Sequence, residues 1–487
     1  MKQNIKSLTI LLAALPAASS ARESAPKPQI QTQGQLNVLV ILTDQLAEHM
    51  LFTDGNRNVS TPAMDRLVAE GVRLNRCYVT NPVSIPSRFS LMTGRYPSVV
   101  GMESNGGIRN AVPDSLRLQS LAFRFREAGY QTLYTGKKHL TGATPETGYE
   151  SPEAYGFDYH LASRDNEGRE PSTQAVVDFL NDRKNNKQPF LFLVSLINPH
   201  DICYYPLNQA GVAEGKPAME PTRPMMQIIN GVMPPESLTD DFVENQTPAL
   251  PKNFAPTVGE VPGSWITNGY IGWARTNYTE RDWRIYRYLY DRLIEVVDNQ
   301  IGRIMDALRT SGMDQNTIVI LTSDHGEMNG AHRMSTKGVM YEESARVPLL
   351  VRWKGTLPEG KTVDALVSSG LDLLPTLYEL TGVRTGNTPG RSLVPLLKGQ
   401  KSPWRETLMV EGDRERMVIF DGMWKYVVTC PKRGRQQYEM LFDLKNDPGE
   451  TTNIASKNKA QLAKGRRALA DFCRSHGLKL DADYIVK

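Results

Sequence analysis

The chain has 487 residues, 40% hydrophobic and 23% charged, with a formal net charge of +4 at pH 7. This is the composition of an ordinary soluble globular protein, too long for one small core, so a large α/β domain with something added is expected. No basic run or stripe stands out, which argues against a nucleic-acid partner. The four cysteines, Cys77, Cys203, Cys430 and Cys473, are widely spaced with no C-x-x-C metal or redox pattern. They read as reduced core residues.

The N-terminus reads as an export signal over residues 1–21. Lys2 and Lys6 form the positive region, Leu8 to Leu15 the apolar region, and Ala17 to Ala21 a small-residue cleavage zone. Its apolar run is too short to span a bilayer, and no cysteine follows to carry a lipid tether, so no transmembrane anchor is expected. Cleavage removes Lys2 and Lys6 and lowers the formal charge from +4 to +2. A periplasmic or extracellular protein follows, with a polar Pro/Gln-rich linker over residues 22–35.

Leu36 to Thr43 is a continuous apolar run, the pattern of a buried parallel strand, which puts Asp44 and Gln45 at its carboxyl end. In open α/β sheets ligands bind at that edge, although Asp44 also suits a helix cap or turn. Thr61 caps a helix with Pro62 at its first position, running to Gly71. Pro82 and Pro86 then bracket Ser84, just before a helix-compatible run from Pro86 to Met92. A side chain there meets the positive end of a helix, and Arg88 adds a fork shaped for oxyanions. The same residues are equally consistent with a Ser/Pro-rich turn capping an ordinary helix.

Ser115 to Ala128 reads as one amphipathic helix, with Leu116, Leu118, Leu121 and Phe125 on a side. The strand Tyr130 to Tyr134 leads to Lys137 and His139, and the strand Pro189 to Ile197 leads to His200. From Cys203 to Glu280 periodicity disappears, which points to a functional loop insertion or a disordered excursion. Asp282 to Thr310 is the clearest helix, striped by Ile285, Leu289, Leu293, Val296, Ile301, Ile304 and Leu308. Thr317 to Thr322 is a further strand, ending in Ser323-Asp324-His325-Gly326-Glu327; Lys337 lies in the segment after it, and Leu371 to Thr381 is a helix. Near Ser402 short β-like runs begin (Thr407–Val410, Met417–Phe420, Trp424–Val428, Glu439–Leu444), closed by a helix from Lys459 to Ser475. The expected division is a catalytic domain over 36–401, with 203–280 as its substrate-loop insertion, and a C-terminal α+β subdomain over 402–487.

The string Ser84-Ile85-Pro86-Ser87-Arg88 followed by Thr93-Gly94-Arg95 resembles the signature of type I sulfatases in its serine form, with Met92 where Leu is usual. "T-P-x-x-D-x-L-x-x-E-G" from Thr61, Gly136-Lys137-x-His139 (Lys138 replacing the usual Trp), and "L-F-D-L-K-N-D-P-G-E" near the end are similar to the same family. The resemblance covers nearly the whole mature chain and is weakest over 203–280. It implies an alkaline-phosphatase-like α/β fold: a large mixed, mostly parallel sheet flanked by helices, with a small C-terminal antiparallel sheet plus helix. It also implies a sulfuric ester hydrolase whose Ser84 is converted to formylglycine by a maturase during export.

By the same resemblance Asp44, Gln45, Asp324 and His325, with modified Ser84, hold a divalent metal. Ca²⁺ is the ion implied, with Mg²⁺ or Mn²⁺ as alternatives, since most of these ligands are oxygen. The Asp-Gln and Asp-His pairs resemble choline sulfatases and phosphonate monoester hydrolases. Arg88, Lys137 and Lys337 form the anion clamp. The family mechanism implies attack on sulfur by one hydroxyl of the hydrated aldehyde with Asp324 as base, leaving-group protonation by His200 with Lys337, and sulfate ejection helped by His139. Such a reaction needs preorganised positive charge, because one general acid supplies only about 3–5 kcal/mol of the barrier reduction. A sulfated sugar is the expected substrate, contacted by residues 203–280 and Met102 to Asn110. The alternatives are a phosphate or phosphonate ester hydrolase, a choline- or aryl-sulfatase-like enzyme, and a non-catalytic binder of sulfated glycans.

Overall fold

All eight residues of β1 (Asn37–Asp44) are buried, and their side chains alternate between two cores. Val38, Val40 and Leu42 enter one; Leu39 and Ile41 enter the other. A strand with both faces covered must read as a continuous apolar run, which is what the sequence shows. The computed structural model describes residues 36–487 except 107–110, 141–150, 162–168, 184–185, 234–238, 264–268, 385, 431–435, 482–483 and 486–487. The expected export signal and linker, and residues 107–110 of the Met102–Asn110 loop, therefore lie outside the described residues.

The remaining strands of the large sheet are β2 (Val72–Tyr78), β3 (Gln131–Gly136), β4 (Tyr159–Leu161), β5 (Phe190–Pro199), β6 (Thr317–Ser323), β7 (Leu349–Arg352) and β8 (Lys361–Ser368). Their order is β4-β3-β5-β1-β6-β7-β2-β8. β7 runs antiparallel to β6 and β2, while β1 runs parallel to β5 and β6. The ends of β1, β3, β5 and β6 therefore share one edge. Four more strands, β9 (Leu408–Gly412), β10 (Glu415–Phe420), β11 (Trp424–Thr429) and β12 (Tyr438–Asp443), form an antiparallel sheet in the order β12-β11-β10-β9. It shares a third core with the final helix, Lys459–Ser475. Among the described residues no helix is long and apolar enough to cross a membrane.

The helix Glu280–Thr310 covers the sheet face lined by Leu39 and Ile41, and its Thr279–Asp282 capping box closes the first turn. Val297, not Val296, is the fully buried member of its stripe. Three expectations are corrected. Ser115 to Ala128 is two helices, Asp114–Arg117 and Leu121–Glu127. The break falls where Ser120 donates to the Tyr155 carbonyl (2.8 Å) and opens the second helix, leaving Leu118 exposed. Residues 203–280 are not structureless but carry helices Tyr204–Ala213, Pro224–Val232, Asp240–Gln246 and Gly269–Asn277. Each is too short to show a clear period, and docking of Phe242, Val243 and Ala274 into the second core helps hold them. Thr61 does not cap the Pro62–Glu70 helix with its side chain; Asp298 of the long helix does so, accepting from the Ala63 and Met64 amides at 3.1 and 2.8 Å.

The helix Ser84–Thr93 is buried along its whole length. The helix Ser369–Thr381 crosses it at Gly370, where an added Cβ would lie 2.8 Å from Ser90 Cβ and 2.9 Å from Thr80 Cγ2. Gly370→Ala is expected to lose about 1–3 kcal/mol in denaturant unfolding despite alanine's better helix propensity. Unchanged stability would show that the crossing has slack.

Candidate active site

Parallel register brings the first carboxylates together. Thr43 on β1 pairs with Ser323 on β6, and the Asp324 amide donates to the Thr43 carbonyl, so Asp44 and Asp324 leave adjacent strand ends side by side. Two like charges at that spacing need a cation between them. Arg88 supplies it from inside the Ser84–Thr93 helix, with Nη2 on Asp44 Oδ2 and Nε on Asp324 Oδ2, each at 2.9 Å. Its Nη1 donates to Ser195 Oγ (2.7 Å) on β5 and to the Lys137 carbonyl (3.2 Å) after β3. Arg88, Asp44 and Asp324 are each 0% exposed. Lys137 Nζ adds a second cation 2.6 Å from Asp44 Oδ2. Burial alone would raise the Asp44 pKa, but the Lys137 and Arg88 cations hold it well below the usual carboxylate range.

Ser84 is the first residue of its helix and lies 2.9 Å from His325 Nε2. His325 Nδ1 lies 3.0 Å from the Gly326 carbonyl, so Nδ1 carries the proton and Nε2 is left as an acceptor or ligand. Burial lowers the His325 pKa to about 4, which keeps the ring neutral. Asn105, from the Met102–Asn110 loop, accepts the Ile85 amide at 3.1 Å beside Ser84.

The structure tests the proposed ion site through its donors. Asp44, Asp324 and His325 offer atoms all within 4.8 Å of one another. Asp44 Oδ1 is buried without a hydrogen-bond partner, 3.8 Å from His325 Nε2. Two carboxylates and an imidazole nitrogen with an unsatisfied oxygen suit a divalent cation. Gln45 stands beside them at φ 73°, a strained backbone for a non-glycine residue. Its side-chain oxygen accepts from Lys337 Nζ, and its amide nitrogen donates to Glu327 Oε2.

The other residues singled out in the sequence also arrive here. His200 lies in the electrostatic field of Lys137, Lys337, Asp44 and His139. Burial, then Lys137 and Lys337, push its pKa well down; burial, then Lys137 and Arg88, lower His139 to about 2. Both histidines are neutral as placed. Burial opposes the charge on Lys337, but Cys203, Asp44, Asp324 and Glu327 raise its pKa. Residue-by-residue reading missed Cys203, which is not a bystander in the core: its Sγ lies 3.1 Å from Gln45 Nε2 and 3.6 Å from Lys337 Nζ. Its place directly after the His200 strand end was the available signal. It also missed Glu327 as a partner of Gln45, although Glu327 stood in the same cluster as Asp324.

Two neutral histidines, two lysines and an arginine thus gather beside a buried acidic cluster on the carboxyl edge of this mixed sheet. The sulfatase family model matches residues 36–383, and a model of the N-sulphoglucosamine sulphohydrolase C-terminal region matches 330–469. The chain belongs to the sulfatase family and is a sulfuric ester hydrolase. It is 29% identical to a Delta 4,5-hexuronate-2-O-sulfatase of Bacteroides thetaiotaomicron over 93% of each chain. It is 28% identical to a choline-sulfatase of Rhizobium meliloti over 87% of this chain and 83% of that one. A solved 2-O GAG sulfatase superposes with TM-score 0.72 at 26% identity, over 93% of this chain and 98% of that one. A phosphonate monoester hydrolase of Agrobacterium radiobacter shares the fold (TM-score 0.67, 21% identity, 91% of this chain and 96% of that one).

Removing Arg88 leaves two buried carboxylates facing each other. Arg88→Met is expected to cost about 3–5 kcal/mol of stability in chelator, with part of the loss restored by added Ca²⁺. Equal unfolding midpoints for variant and wild type in chelator would contradict this.

Proposed function

We propose that the protein is an exported carbohydrate sulfatase in which Ser84, converted to formylglycine by a maturase, is the nucleophile beside a divalent cation. The observation that carries the reading is the position of Ser84 Oγ, 2.9 Å from His325 Nε2 within the Asp44–Asp324–His325 cluster. Asp44, Gln45, Asp324 and His325, with modified Ser84, would hold the ion, Ca²⁺ by family likeness, and its chemistry there would be Lewis-acid polarisation of the ester oxygens. Hydration of formylglycine offers two hydroxyls on one carbon, so a sulfated enzyme can release sulfate by carbon–oxygen cleavage.

The residues of this chain divide the remaining work. Arg88, Lys137 and Lys337 bind and orient the anion and oppose the charge that builds in the transition state. His200 starts neutral because burial and the two lysines depress it. A sulfate ester paired to those lysines cancels part of their field, which raises His200 toward the protonated form needed to give a proton to the leaving alcohol. His139, also neutral, is suited to accept a proton from the nucleophile side. The glycan class is favoured because curated relatives include the hexuronate sulfatase and an N-acetylglucosamine-6-O-sulfatase of B. thetaiotaomicron, 27% identical over 96% of this chain and 90% of that one. Helices Tyr204–Ala213 and Gly269–Asn277, with the loop around Asn105, would frame the leaving sugar.

Mass spectrometry of the Ser84 peptide from a host with a maturase is expected to show the loss of two hydrogens. Ser84→Ala and exhaustive chelation should each abolish turnover in a panel of sulfated mono- and oligosaccharides. Full activity with an intact serine would refute the formylglycine route. Preference for phosphonate over sulfate esters in direct competition would move the assignment to the phosphonate hydrolase branch.

A further inference from the structure

Glu327 is fully buried, and Gln45 is the one proposed ion ligand to which its carboxylate is hydrogen-bonded. Its Oε1 accepts from Tyr286 Oη (2.8 Å), the Asn329 amide (3.0 Å) and the Thr336 amide (2.6 Å), and its Oε2 faces Gln45 Nε2. The Gln45 backbone is held just as firmly. Tyr290 Oη donates to the Gln45 carbonyl (2.7 Å) and accepts from the Ala47 amide (3.1 Å). Tyr286 and Tyr290 stand one turn apart on the Glu280–Thr310 helix and face the same way. One rigid helix thus fixes the strained backbone of Gln45 and the carboxylate that meets its side chain.

An amide can turn over and exchange its oxygen for its nitrogen. Cys203 Sγ lies 3.1 Å from Gln45 Nε2 and 3.2 Å from Oε1, so it does not choose between the two. The Lys337 ammonium can only donate and requires the oxygen. The Glu327 carboxylate, already held by three donors, requires the nitrogen. A turned amide would place its NH₂ against Lys337 and present a donor where cations gather.

We propose that Glu327 is a positioning residue that locks Gln45 with its carbonyl oxygen toward Lys337, the orientation in which that oxygen would also be available to a divalent cation. This rests on the sulfatase reading of the site and assigns a role to a residue outside the signature and the clamp. Tyr286 supports Glu327, and Glu327 acts on the reaction only through Gln45.

The test uses the full chain, stripped of metal and titrated with Ca²⁺ calorimetrically, alongside kcat and KM on whichever sulfated sugar the wild type turns over. Glu327→Gln keeps the shape but can offer its own NH₂ to Gln45, so Ca²⁺ affinity should fall about 10- to 100-fold, the usual cost of losing an outer-shell partner. The fall in kcat should exceed any rise in KM. In the double variant Glu327→Gln with Gln45→Glu, the bond is remade with its polarity reversed and an oxygen still faces Lys337, so Ca²⁺ affinity should recover at least tenfold over the single variant. A purely structural role would lower the melting temperature without that recovery. Glu327→Gln with wild-type Ca²⁺ affinity and kcat, or a folded double variant no better than the single one, overturns the proposal. If Glu327→Gln does not fold, Tyr286→Phe should weaken Ca²⁺ by a smaller factor, and unchanged affinity there overturns it equally. A wild type that neither binds Ca²⁺ nor hydrolyses any sulfate ester refutes the underlying sulfatase reading, and this inference with it.

Discussion

The site depends on one buried guanidinium. Asp44 and Asp324 are forced together by the pairing of β1 with β6, and at full burial their repulsion would be severe. Arg88 spans both with two separate nitrogens and spends the rest of its fork on Ser195 and the Lys137 carbonyl. Lysine could not satisfy four acceptors in these directions. By tying the ends of four strands to the Ser84 helix, Arg88 also sets where Ser84 stands. Stability and the proposed catalysis would share this group, because the desolvation that makes the ion pairs costly also makes their field strong.

The second constraint comes from the opposite layer. The Glu280–Thr310 helix is structural by pattern, and its stripe fills the second core. Through Tyr286 and Tyr290 it also reaches the catalytic edge and holds Gln45 in a backbone conformation that a free chain would avoid. A helix that buries apolar surface can carry polar tips at no loss when each hydroxyl finds a partner.

Much of this was legible from the chain. Continuous apolar runs betrayed β1, β5 and β6 as doubly covered strands, and their ends carried Asp44, His200 and Asp324, because a parallel sheet exposes one carboxyl edge to ligands. The final helix and the four short strands of the small sheet also fell close to where pattern placed them. Other features were not legible. The short helices within 203–280 rely partly on docking rather than on a visible period, and the break at Ser120 depends on a carbonyl 35 residues away. The capping of the Pro62–Glu70 helix by Asp298 joins segments 234 residues apart or more.

By itself the sequence determined which chemical groups are available and that they cluster at strand ends, since both follow from local pattern and from a motif of contiguous residues. Only the tertiary structure decided how those groups pair: Arg88 between two aspartates, His325 with its Nε2 toward Ser84, and Gln45 turned by Glu327 to offer its oxygen to Lys337. Each of these pairings joins distant positions in the chain, and their geometry is set by sheet register and helix packing rather than by any neighbour in sequence.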